Sequence, residues 1–409
     1  MNEKGTGGLN VLYVIGDRGL DLTKLEGYTI HVQGILDGLR NKAHRTFLIA
    51  ISDAARLNGF GEGLCVPHRY ARLVHRVLPY FGLLDSFNVA RACRRANRAA
   101  RFDVIHERLG LYSYGGWWTA RSLGLPYVME VNAPLVEEKA LAGYPLSPTQ
   151  RLSARLSTAF CLRQADQIVS VSSSLKDYLV ARLGIDEAVI TVLPNAADTD
   201  AFGLDCEREN VRALLDLSNK TVIGFVGALH VWYGIENLLV AFDQVRRQRP
   251  DAFLLLVGDG QARPDLEHLS AKLGLGQAVR LLGKVEHTRI PPLLSAMDIA
   301  VAPFRHLPTG FYASPIKVFE YMAAGKAIVA SRIGQVAEVL RHERDALLVK
   351  PGDAQELSQA ILRLADDPQL RKNIGSAARA QARAKYSWDV YAGRLVEVYQ
   401  KAIKRSKHT

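Results

Sequence analysis

A strand–loop–helix–strand unit at residues 299–331 limits the fold more than any other part of the chain. Four apolar residues at 299–302 precede a loop with proline and glycine, which leads into the sequence S-P-I-K-V-F-E-Y-M-A-A-G-K. Ser314 is a typical helix N-cap, Pro315 suits the first helical position, and Gly325 predicts the helix end. A helix between two buried strands indicates a parallel sheet, with the helix N-terminus at its carboxyl edge.

Lys317 falls in the first turn of this predicted helix. A cation opposes the helix dipole there, where a carboxylate is normally favoured. Beside unpaired backbone N–H groups, however, an ammonium group makes a pocket that attracts anions. Glu320 lies three residues later, on nearly the same helix face. A nucleoside diphosphate needs this combination of a cation for phosphate and a carboxylate for the ribose diol, although both residues are also typical of a solvated helix face.

The run S-P-x-K-x-F-E-Y-M-A-x-G-K-x-x-V-A-S at 314–331 resembles the donor-site motif of the retaining GT-B glycosyltransferases of family 4. In that family the second glutamate of an E-x7-E motif holds the ribose of the sugar nucleotide, and Glu320 matches it. Tyr312 stands where the first glutamate would be, so the resemblance leaves open how the hydroxyls of the transferred sugar are held. It implies that the donor diphosphate is bound by the loop and the first helical turn, namely Gly310, Phe311, Tyr312, Ala313, Ser314, Lys317 and Val318.

A second loop follows the apolar strand predicted at 221–227. In the family this loop carries an arginine and a lysine for the diphosphate, but here Ala228 and Tyr233 stand at those positions. The resemblance also implies that the nucleotide base contacts the backbone around Lys284 and Val285, which follow a later predicted strand. The remaining donor-binding candidates are therefore Gly227, His230, Trp232, Lys284 and Val285.

The N-terminal segment predicts a βαβ start, with strands at 11–15 and 47–51 around a helix at 29–40. Its glycine-bearing loop lacks the G-x-G-x-x-G spacing of a dinucleotide fingerprint. The loop resembles the acceptor-side glycine loop of the same family, which assigns Gly27 and Tyr28 to the acceptor side. His31 is expected on the helix surface rather than in catalysis.

Polar residues end two further predicted strands, at 102–106 and 126–131. Related enzymes carry a histidine near the position of Asn132 that contacts the transferred sugar, so the resemblance implies a catalytic and acceptor-side location for Asn132. Glu107, assigned to the acceptor side, and Glu130 are alternative polar candidates at the strand ends. All three lie where ligands bind in sheets of this kind.

A metal site is not expected. Asp198 and Asp200 form a D-x-D, but they lie within L-P-N-x-x-D-x-x-x-F, which resembles the interdomain hinge of the family. The segment A-G-K at 324–326 lacks the other residues of a P-loop. The sequence predicts no cofactor beyond a nucleotide-sugar donor substrate.

Length and composition support two domains. The chain has 409 residues, of which 48% are hydrophobic, too many residues for one ordinary core. We predict an α/β protein of the GT-B type, with two doubly wound Rossmann-like domains at 1–196 and 197–386 facing a cleft, and a C-terminal helix at 387–409 crossing back to the first domain. No signal peptide or spanning segment is expected, and the scattered Cys65, Cys93, Cys161 and Cys206 indicate reduced thiols and a cytoplasmic protein.

The positive charge is concentrated. The net charge is +11, and residues 67–121 contain ten arginines and three acids. Such a patch favours binding to an anionic membrane surface, a phosphorylated lipid or nucleic acid. Residues 64–87 have the composition of an interfacial amphipathic segment, although a core-facing helix with a solvated basic face has the same pattern. We expect peripheral contact with the inner face of a membrane and, because no recognised module is present, no nucleic-acid partner.

Together these features predict a retaining glycosyltransferase that moves a sugar from a nucleotide donor to an acceptor hydroxyl. The acceptor would be a saccharide, a lipid-linked saccharide or a small molecule, in polysaccharide or glycolipid synthesis. A non-catalytic subunit with the same fold and a nucleotide-sugar epimerase are the alternatives.

Overall fold

The computed structural model describes residues 8–17, 20, 22–23, 26–52, 59–67, 81–141, 143–144, 146–203 and 207–407. The chain divides into two compact units. Unit 1 combines the chain up to Pro194 with the C-terminal segment from Trp388, and unit 2 is Asn195–Ser387. The described strands of each unit form one parallel sheet.

Unit 1 contains a seven-stranded sheet. Its strands are β1 (Asn10–Ile15), β2 (Arg45–Ile51), β3 (Gly63–Val66), β4 (Val104–Arg108), β5 (Tyr127–Val131), β6 (Gln167–Ser170) and β7 (Ile190–Val192). They lie in the order β3-β2-β1-β4-β5-β6-β7. Its helices are α1 (Gly27–Asn41), α2 (Phe81–Ala100), α3 (Gly115–Leu123), α4 (Leu135–Leu141), α5 (Pro148–Arg163) and α6 (Ser173–Leu183). Ser172 caps α6, because its side chain accepts from the backbone N–H of Leu175.

Unit 2 contains a six-stranded sheet. Its strands are β8 (Thr221–Val226), β9 (Ala252–Val257), β10 (Val279–Leu281), β11 (Ile299–Ala302), β12 (Ala327–Ser331) and β13 (Leu347–Val349). Their order, β10-β9-β8-β11-β12-β13, is that of a doubly wound Rossmann sheet. Its helices are α7 (Arg208–Leu214), α8 (Ile235–Gln248), α9 (Arg263–Lys272), α10 (Ile290–Ala296), α11 (Ile316–Ala323), α12 (Gly334–Val339), α13 (Ala354–Asp366) and α14 (Pro368–Lys385).

The strands read as apolar runs because both faces of each sheet are covered. In β8, Val222 and Val226 belong to one buried cluster, while Ile223 and Phe225 belong to a cluster on the opposite face. Alternation along β9 divides its residues in the same way. The predicted α/β class is confirmed.

The last helix, α15 (Trp388–Ser406), packs on α1 of unit 1. A Cβ at Gly34 would lie 2.6 Å from Nε1 of Trp388, and one at Gly38 would lie 2.5 Å from the Trp388 carbonyl oxygen. Only glycine therefore permits this approach. The predicted return of the C-terminal helix to the first domain is confirmed.

Helix α2 begins at Phe81, so Gly82 lies inside its first turn. There it fits against the loop before α3, since a Cβ would lie 2.8 Å from the Tyr112 carbonyl oxygen. The part of the predicted interfacial segment at 68–80 lies outside the described residues.

Two further findings bear on the predictions. Among the described residues, no helix combines the length and the apolar character needed to cross a bilayer. Cys65, Cys93 and Cys161 are free thiols, and Cys206 lies outside the described residues.

Candidate active site

Three glycine turns form the carboxyl edge of the unit 2 sheet. Gly227, Gly258 and Gly283 follow β8, β9 and β10 with φ of +136°, +137° and +76°. The N–H of Gly258 donates to the Gly283 carbonyl oxygen at 2.9 Å. A Cβ at Gly258 would lie 2.8 Å from the Gly227 carbonyl carbon. The turns thus pack backbone against backbone, which leaves their peptide groups close to any ligand at this edge.

Helix α11 begins beside these turns, one residue later than predicted. Pro315 occupies the N-cap position, and no side chain caps the helix. The prediction that Ser314 is the N-cap is wrong, because Asn195 engages this serine. Ser314 Oγ accepts from the Asn195 N–H at 2.9 Å, and the Ser314 carbonyl accepts from Asn195 Nδ2 at 2.6 Å. These bonds hold the loop before α11 against the start of unit 2.

Lys317 turns inward from α11 into a cage of aromatic rings. Its Nζ lies 3.8 Å from the centroid of the Tyr233 ring, 4.1 Å from that of Phe225 and 5.9 Å from that of Phe304. The side chain is 8% exposed, and Nζ has no hydrogen-bond partner among the described residues. Ring faces attract an ammonium group, but they supply no acceptor for its three protons.

Burial lowers the pKa of Lys317 to about 7, and the charge of Glu320 opposes this shift. The amine therefore changes charge near neutral pH. Because its protons are unpartnered, an anion at this position would favour the charged form.

Gly227 leaves the space that the lysine occupies. A Cβ there would lie 2.7 Å from Lys317 Cε, and φ of +136° is a region that favours glycine. We expect Gly227→Ala to displace the amine and to weaken binding of a nucleoside diphosphate at least tenfold, measured by calorimetric titration with UDP, GDP, ADP and TDP in turn.

Gly274→Ala is the matched control for this prediction. Gly274 also has positive φ, +66°, but an added Cβ would meet nothing within 4 Å. It should cost about 1 kcal/mol of stability and leave nucleotide binding unchanged. Equal nucleotide affinities for the Gly227→Ala variant and the unaltered chain would contradict the assignment of this turn to the site.

Glu320 lies one turn after Lys317 and is 5% exposed. His287 Nε2 lies 2.8 Å from Glu320 Oε1, and the His287 ring packs at 5.7 Å from that of Phe202. The imidazole thus fixes the orientation of the carboxylate. His287 is not among the residues predicted from the sequence; the signal that points to it is its place in the chain after β10, at the same sheet edge.

The other donor-side candidates occupy loops around this edge. The rings of His230 and Trp232 stack with centroids 4.4 Å apart and planes at 18°. Gly310 has φ of +93°, and the Phe311 and Phe304 rings lie 5.1 Å apart. The remaining candidates differ in exposure: Lys284 and Ala313 are exposed, Tyr312 and Val285 are half-buried, and Val318 is buried.

Unit 1 holds a buried carboxylate at the carboxyl end of its own sheet. Glu130 is fully buried, and five side chains surround it. Tyr13 donates to Oε2 at 2.8 Å, His31 lies 2.7 Å from Oε1 and His106 lies 3.1 Å from Oε2. The contacts are completed by Arg108, 3.2 Å from Oε1, and by Asn132, whose Nδ2 donates to Oε1.

Burial alone would raise the pKa of Glu130, but the charges and hydrogen bonds of His31 and His106 outweigh it and hold the pKa well below its usual range. The sequence-based expectation that His31 lies on the helix surface is wrong. Its ring is 2% exposed, because α1 turns this residue toward the sheet, where Glu130 binds it.

Glu107 lies apart from this cluster. It is fully buried, and it accepts hydrogen bonds from Ser113 at 2.8 Å, from the Gly116 N–H at 3.2 Å and from Tyr127. Burial raises the pKa of Glu107. Its contacts fix the loop that leads into α3.

The structure brings Asn132 together with Glu130 but not with Glu107. Asn132 is half-buried, while Gly27 is exposed at the start of α1 with the half-buried Tyr28 beside it. The two aspartates of the D-x-D shape their own turn, since Asp198 Oδ1 accepts from the N–H groups of Asp200 and Ala201. No group of three metal-ligating side chains occurs in the part of the chain that the structure describes.

Two doubly wound Rossmann-like units in one chain are the architecture of the GT-B glycosyltransferases. The family described as "Glycosyl transferases group 1" matches residues 220–367, and "Glycosyltransferase Family 4" matches residues 26–201. The chain belongs to this family of glycosyltransferases.

Curated relatives agree with this assignment. A 2-deoxystreptamine glucosyltransferase of Streptomyces kanamyceticus is 30% identical over 73% of this chain and 77% of its own length. An uncharacterized glycosyltransferase of Methanocaldococcus jannaschii is 26% identical over 92% of this chain and 95% of its own. Among solved structures, Anabaena HepE in complex with UDP and glucose has a TM-score of 0.75 at 20% identity, covering 96% of this chain and 99% of HepE.

Proposed function

We propose that this chain transfers a sugar from a nucleotide-sugar donor to an acceptor hydroxyl and retains the anomeric configuration. The observation that carries the proposal is the amine of Lys317. It is buried at a glycine-lined sheet edge without a hydrogen-bond partner in the described chain, one turn before the carboxylate of Glu320. Burying an amine without a partner costs free energy, and an anion bound beside Lys317 would supply the missing contacts.

The donor diphosphate would supply that anion. Lys317, the N–H groups of the Gly310–Ser314 loop and the glycine turn at Gly227 would together stabilise the negative charge that develops on the leaving diphosphate. This replaces the arginine and lysine that the family resemblance leads one to expect at Ala228 and Tyr233. The ring of Tyr233 lies against the Lys317 amine instead. The reaction therefore needs no metal to neutralise the leaving group.

Glu320 would hold the ribose. An oriented carboxylate accepts hydrogen bonds from a vicinal diol, and His287 keeps it in place at 2.8 Å. The base would lie near Lys284 and Val285, and the stacked His230 and Trp232 offer a flat surface beside the donor. HepE binds UDP and UDP-glucose, so these two compounds are the first donors to test.

The ribose contact predicts a specific loss of selectivity. The unaltered chain should bind UDP about ten- to a hundredfold more tightly than 2′,3′-dideoxyuridine diphosphate, as expected for hydrogen bonds to a charged group. Glu320→Gln should weaken UDP binding and remove most of this preference, because the dideoxy compound never makes the contact. Calorimetric titration of both ligands measures the effect. An undiminished preference in the variant would rule out Glu320 as the ribose ligand.

Asn132 would contact a sugar hydroxyl. Its Nδ2 donates to Glu130, which leaves the amide oxygen as the atom presented to a substrate. A hydroxyl can donate to this oxygen, as it could to a neutral histidine nitrogen. Gly27 and Tyr28 would contribute to acceptor binding from the start of α1.

The test of transfer is donor turnover. With UDP-glucose and a panel of sugar and polyol acceptors, we expect release of UDP that depends on Lys317 and Glu320, and a product whose anomeric configuration by NMR matches the donor. Slow donor hydrolysis should also show retention. Binding without turnover would favour the non-catalytic subunit, and a changed sugar with no acceptor product would favour an epimerase. The acceptor class, whether a saccharide, a lipid-linked saccharide or a small molecule, follows from the same panel, and with it a place in polysaccharide or glycolipid synthesis.

A further inference from the structure

We propose that the exposed faces of α2 and α5 form a surface that binds an anionic lipid bilayer. The inference does not depend on the transfer chemistry, because it rests on residues of unit 1 outside the candidate active site. We call this surface the docking face. It consists of the exposed Leu83, Leu84, Phe87, Arg91, Arg94, Arg95 and Arg98 of α2 and the exposed Arg151, Leu152, Arg155, Leu156 and Phe160 of α5.

Helix α2 exposes large apolar side chains at its start. Leu83, Leu84 and Phe87 are 44%, 47% and 53% exposed, although a helix packed on a sheet normally buries such residues. Its four arginines continue along the exposed side toward the C-terminus. None of them forms an ion pair within the described part of the chain.

Helix α2 itself contributes no exposed acid to this side. The acid within the helix, Asp85, is 8% exposed and turns inward. The exposed side therefore combines apolar bulk with unneutralised positive charge, the composition of helices that lie in a membrane interface.

Helix α5 repeats the combination. Leu152 and Leu156 are each 62% exposed and Phe160 is 39% exposed, and the spacing of four residues places them in one stripe. The sequence of α5 contains arginines and no acid. Arg155 is paired with Glu137 of α4 at 2.9 Å, while Arg151 is exposed beside the stripe.

One loop joins the two helices. The Tyr114 N–H donates to Ser86 Oγ of α2 at 2.9 Å, while its hydroxyl lies 2.7 Å from Ser157 Oγ of α5. Tyr112 likewise meets α5 through its hydroxyl, 2.8 Å from Ser153 Oγ. Phe87 of α2 and Leu152 and Leu156 of α5 adjoin these anchoring serines in sequence. The two helices therefore flank the same loop, and we infer that their exposed apolar side chains meet one surface together.

Charge and shape favour a bilayer over other occupants. Six exposed leucine and phenylalanine side chains have no role on a nucleic-acid backbone, whereas they can enter the acyl boundary of a lipid layer. The arginines would then meet anionic headgroups, each worth about 1 kcal/mol near a charged membrane. A second copy of the docking face carries the same positive charge and would repel it.

The test is flotation with vesicles of phosphatidylcholine, alone or with about one-third phosphatidylglycerol. The unaltered chain should float with the anionic vesicles and stay behind with the zwitterionic ones. The triple variant Arg91→Gln/Arg94→Gln/Arg95→Gln should lower the partition coefficient at least tenfold, since about fivefold is expected for each arginine that contacts the headgroups.

The apolar variants separate lipid insertion from charge alone. Leu84→Ser/Phe87→Ser and Leu152→Gln/Leu156→Gln should each lower the anionic partition coefficient at least fivefold. These changes affect exposed side chains, so the thermal midpoint and UDP binding should not change.

Two control variants lie in unit 2. Leu214, which is 74% exposed, is replaced in Leu214→Gln, and the exposed Lys272, Lys372 and Lys385 are replaced together by glutamine to match the loss of three charges. Both should float like the unaltered chain.

Several outcomes would overturn the proposal. Equal recovery with both kinds of vesicle, or unchanged flotation of the docking-face variants, would do so. If only the arginine variant floats less with the anionic vesicles, and it loses binding to single-stranded DNA to the same extent, the docking face would be assigned to nucleic acid. A dimer seen by sedimentation equilibrium and abolished by the apolar changes would assign it to a second copy.

Discussion

Lys317→Met is expected to weaken binding of UDP-glucose by about ten- to a hundredfold, the range for a lost hydrogen bond to a charged group. Methionine keeps much of the side-chain volume, so the aromatic cage of Phe225, Tyr233 and Phe304 should stay filled. Calorimetric titration of both forms measures the loss. Lys372→Met removes an exposed lysine of unit 2 and should leave the affinity unchanged.

The same variant tests the pH dependence. With the pKa of Lys317 at about 7, the free protein holds a charged amine below pH 7 and a neutral one above it. Affinity for UDP-glucose, whose diphosphate does not titrate in this range, should fall between pH 7 and pH 9 as proton uptake accompanies binding. In Lys317→Met the profile should be flat. A loss of affinity that is identical at every pH would show that the amine stays charged.

Stability should change in the opposite direction. The pKa of a lysine in the unfolded chain is about 10.4, well above that of Lys317 in the folded chain. Between these values the unfolded chain binds a proton that the folded chain does not, so the free energy of unfolding rises with pH from about 7 to about 10. Lys317→Met lacks this contribution. Denaturant titration of the full chain between about pH 7 and about pH 10 should therefore show the free energy of unfolding of unit 2 rising in the unaltered chain and not in the variant.

Glu130→Gln is expected to give the largest loss of stability, about 3 kcal/mol, because it leaves a buried cluster of His31, His106 and Arg108 without its carboxylate. Hydrogen exchange measured peptide by peptide should become faster in unit 1 and stay unchanged in unit 2. Glu62→Gln, at an exposed carboxylate of the same unit, is the control and should change little.

The pH dependence of this effect has a defined sign. The folded pKa of Glu130 is held well below its usual range, and that of an unfolded glutamate is about 4.3. The stabilisation is therefore complete above about pH 4 to 5 and is lost as the pH falls through the folded pKa. The difference between the unaltered chain and Glu130→Gln should shrink below pH 4. A constant difference down to pH 2 would mean that the carboxylate charge does not stabilise unit 1.

The fold could be predicted because its signal is local. Apolar strands such as β1 and β9 alternate with helices along the chain, and a parallel sheet is what such an alternation can form. Helices α4 and α5 could not be predicted in the same way. The large apolar residues Leu152, Leu156 and Phe160 of α5 lie on its exposed side, while most of its buried residues are small, so the sequence shows no clear core-facing pattern there.

The sites depend on contacts that the sequence does not reveal. His106 meets Tyr399 across 293 positions of sequence, and the cluster around Glu130 combines α1, β1, β4 and β5. The position of Lys317 in its helix indicated an anion site, but the cage around it comes from β8 and two loops. In the sequence, Tyr233 was notable only because it stands where the family resemblance leads one to expect a lysine.

The central claim is that Lys317 and Glu320 form a donor site, and one binding experiment tests it most directly. UDP, GDP, ADP and TDP are titrated by calorimetry into the unaltered chain, Lys317→Met, Glu320→Gln and the control Lys372→Met. We predict that one nucleotide binds with a stoichiometry of about one, that both site variants bind it at least tenfold more weakly, and that the control binds it normally. Binding of no nucleotide, or equal binding by all four proteins, would contradict the claim.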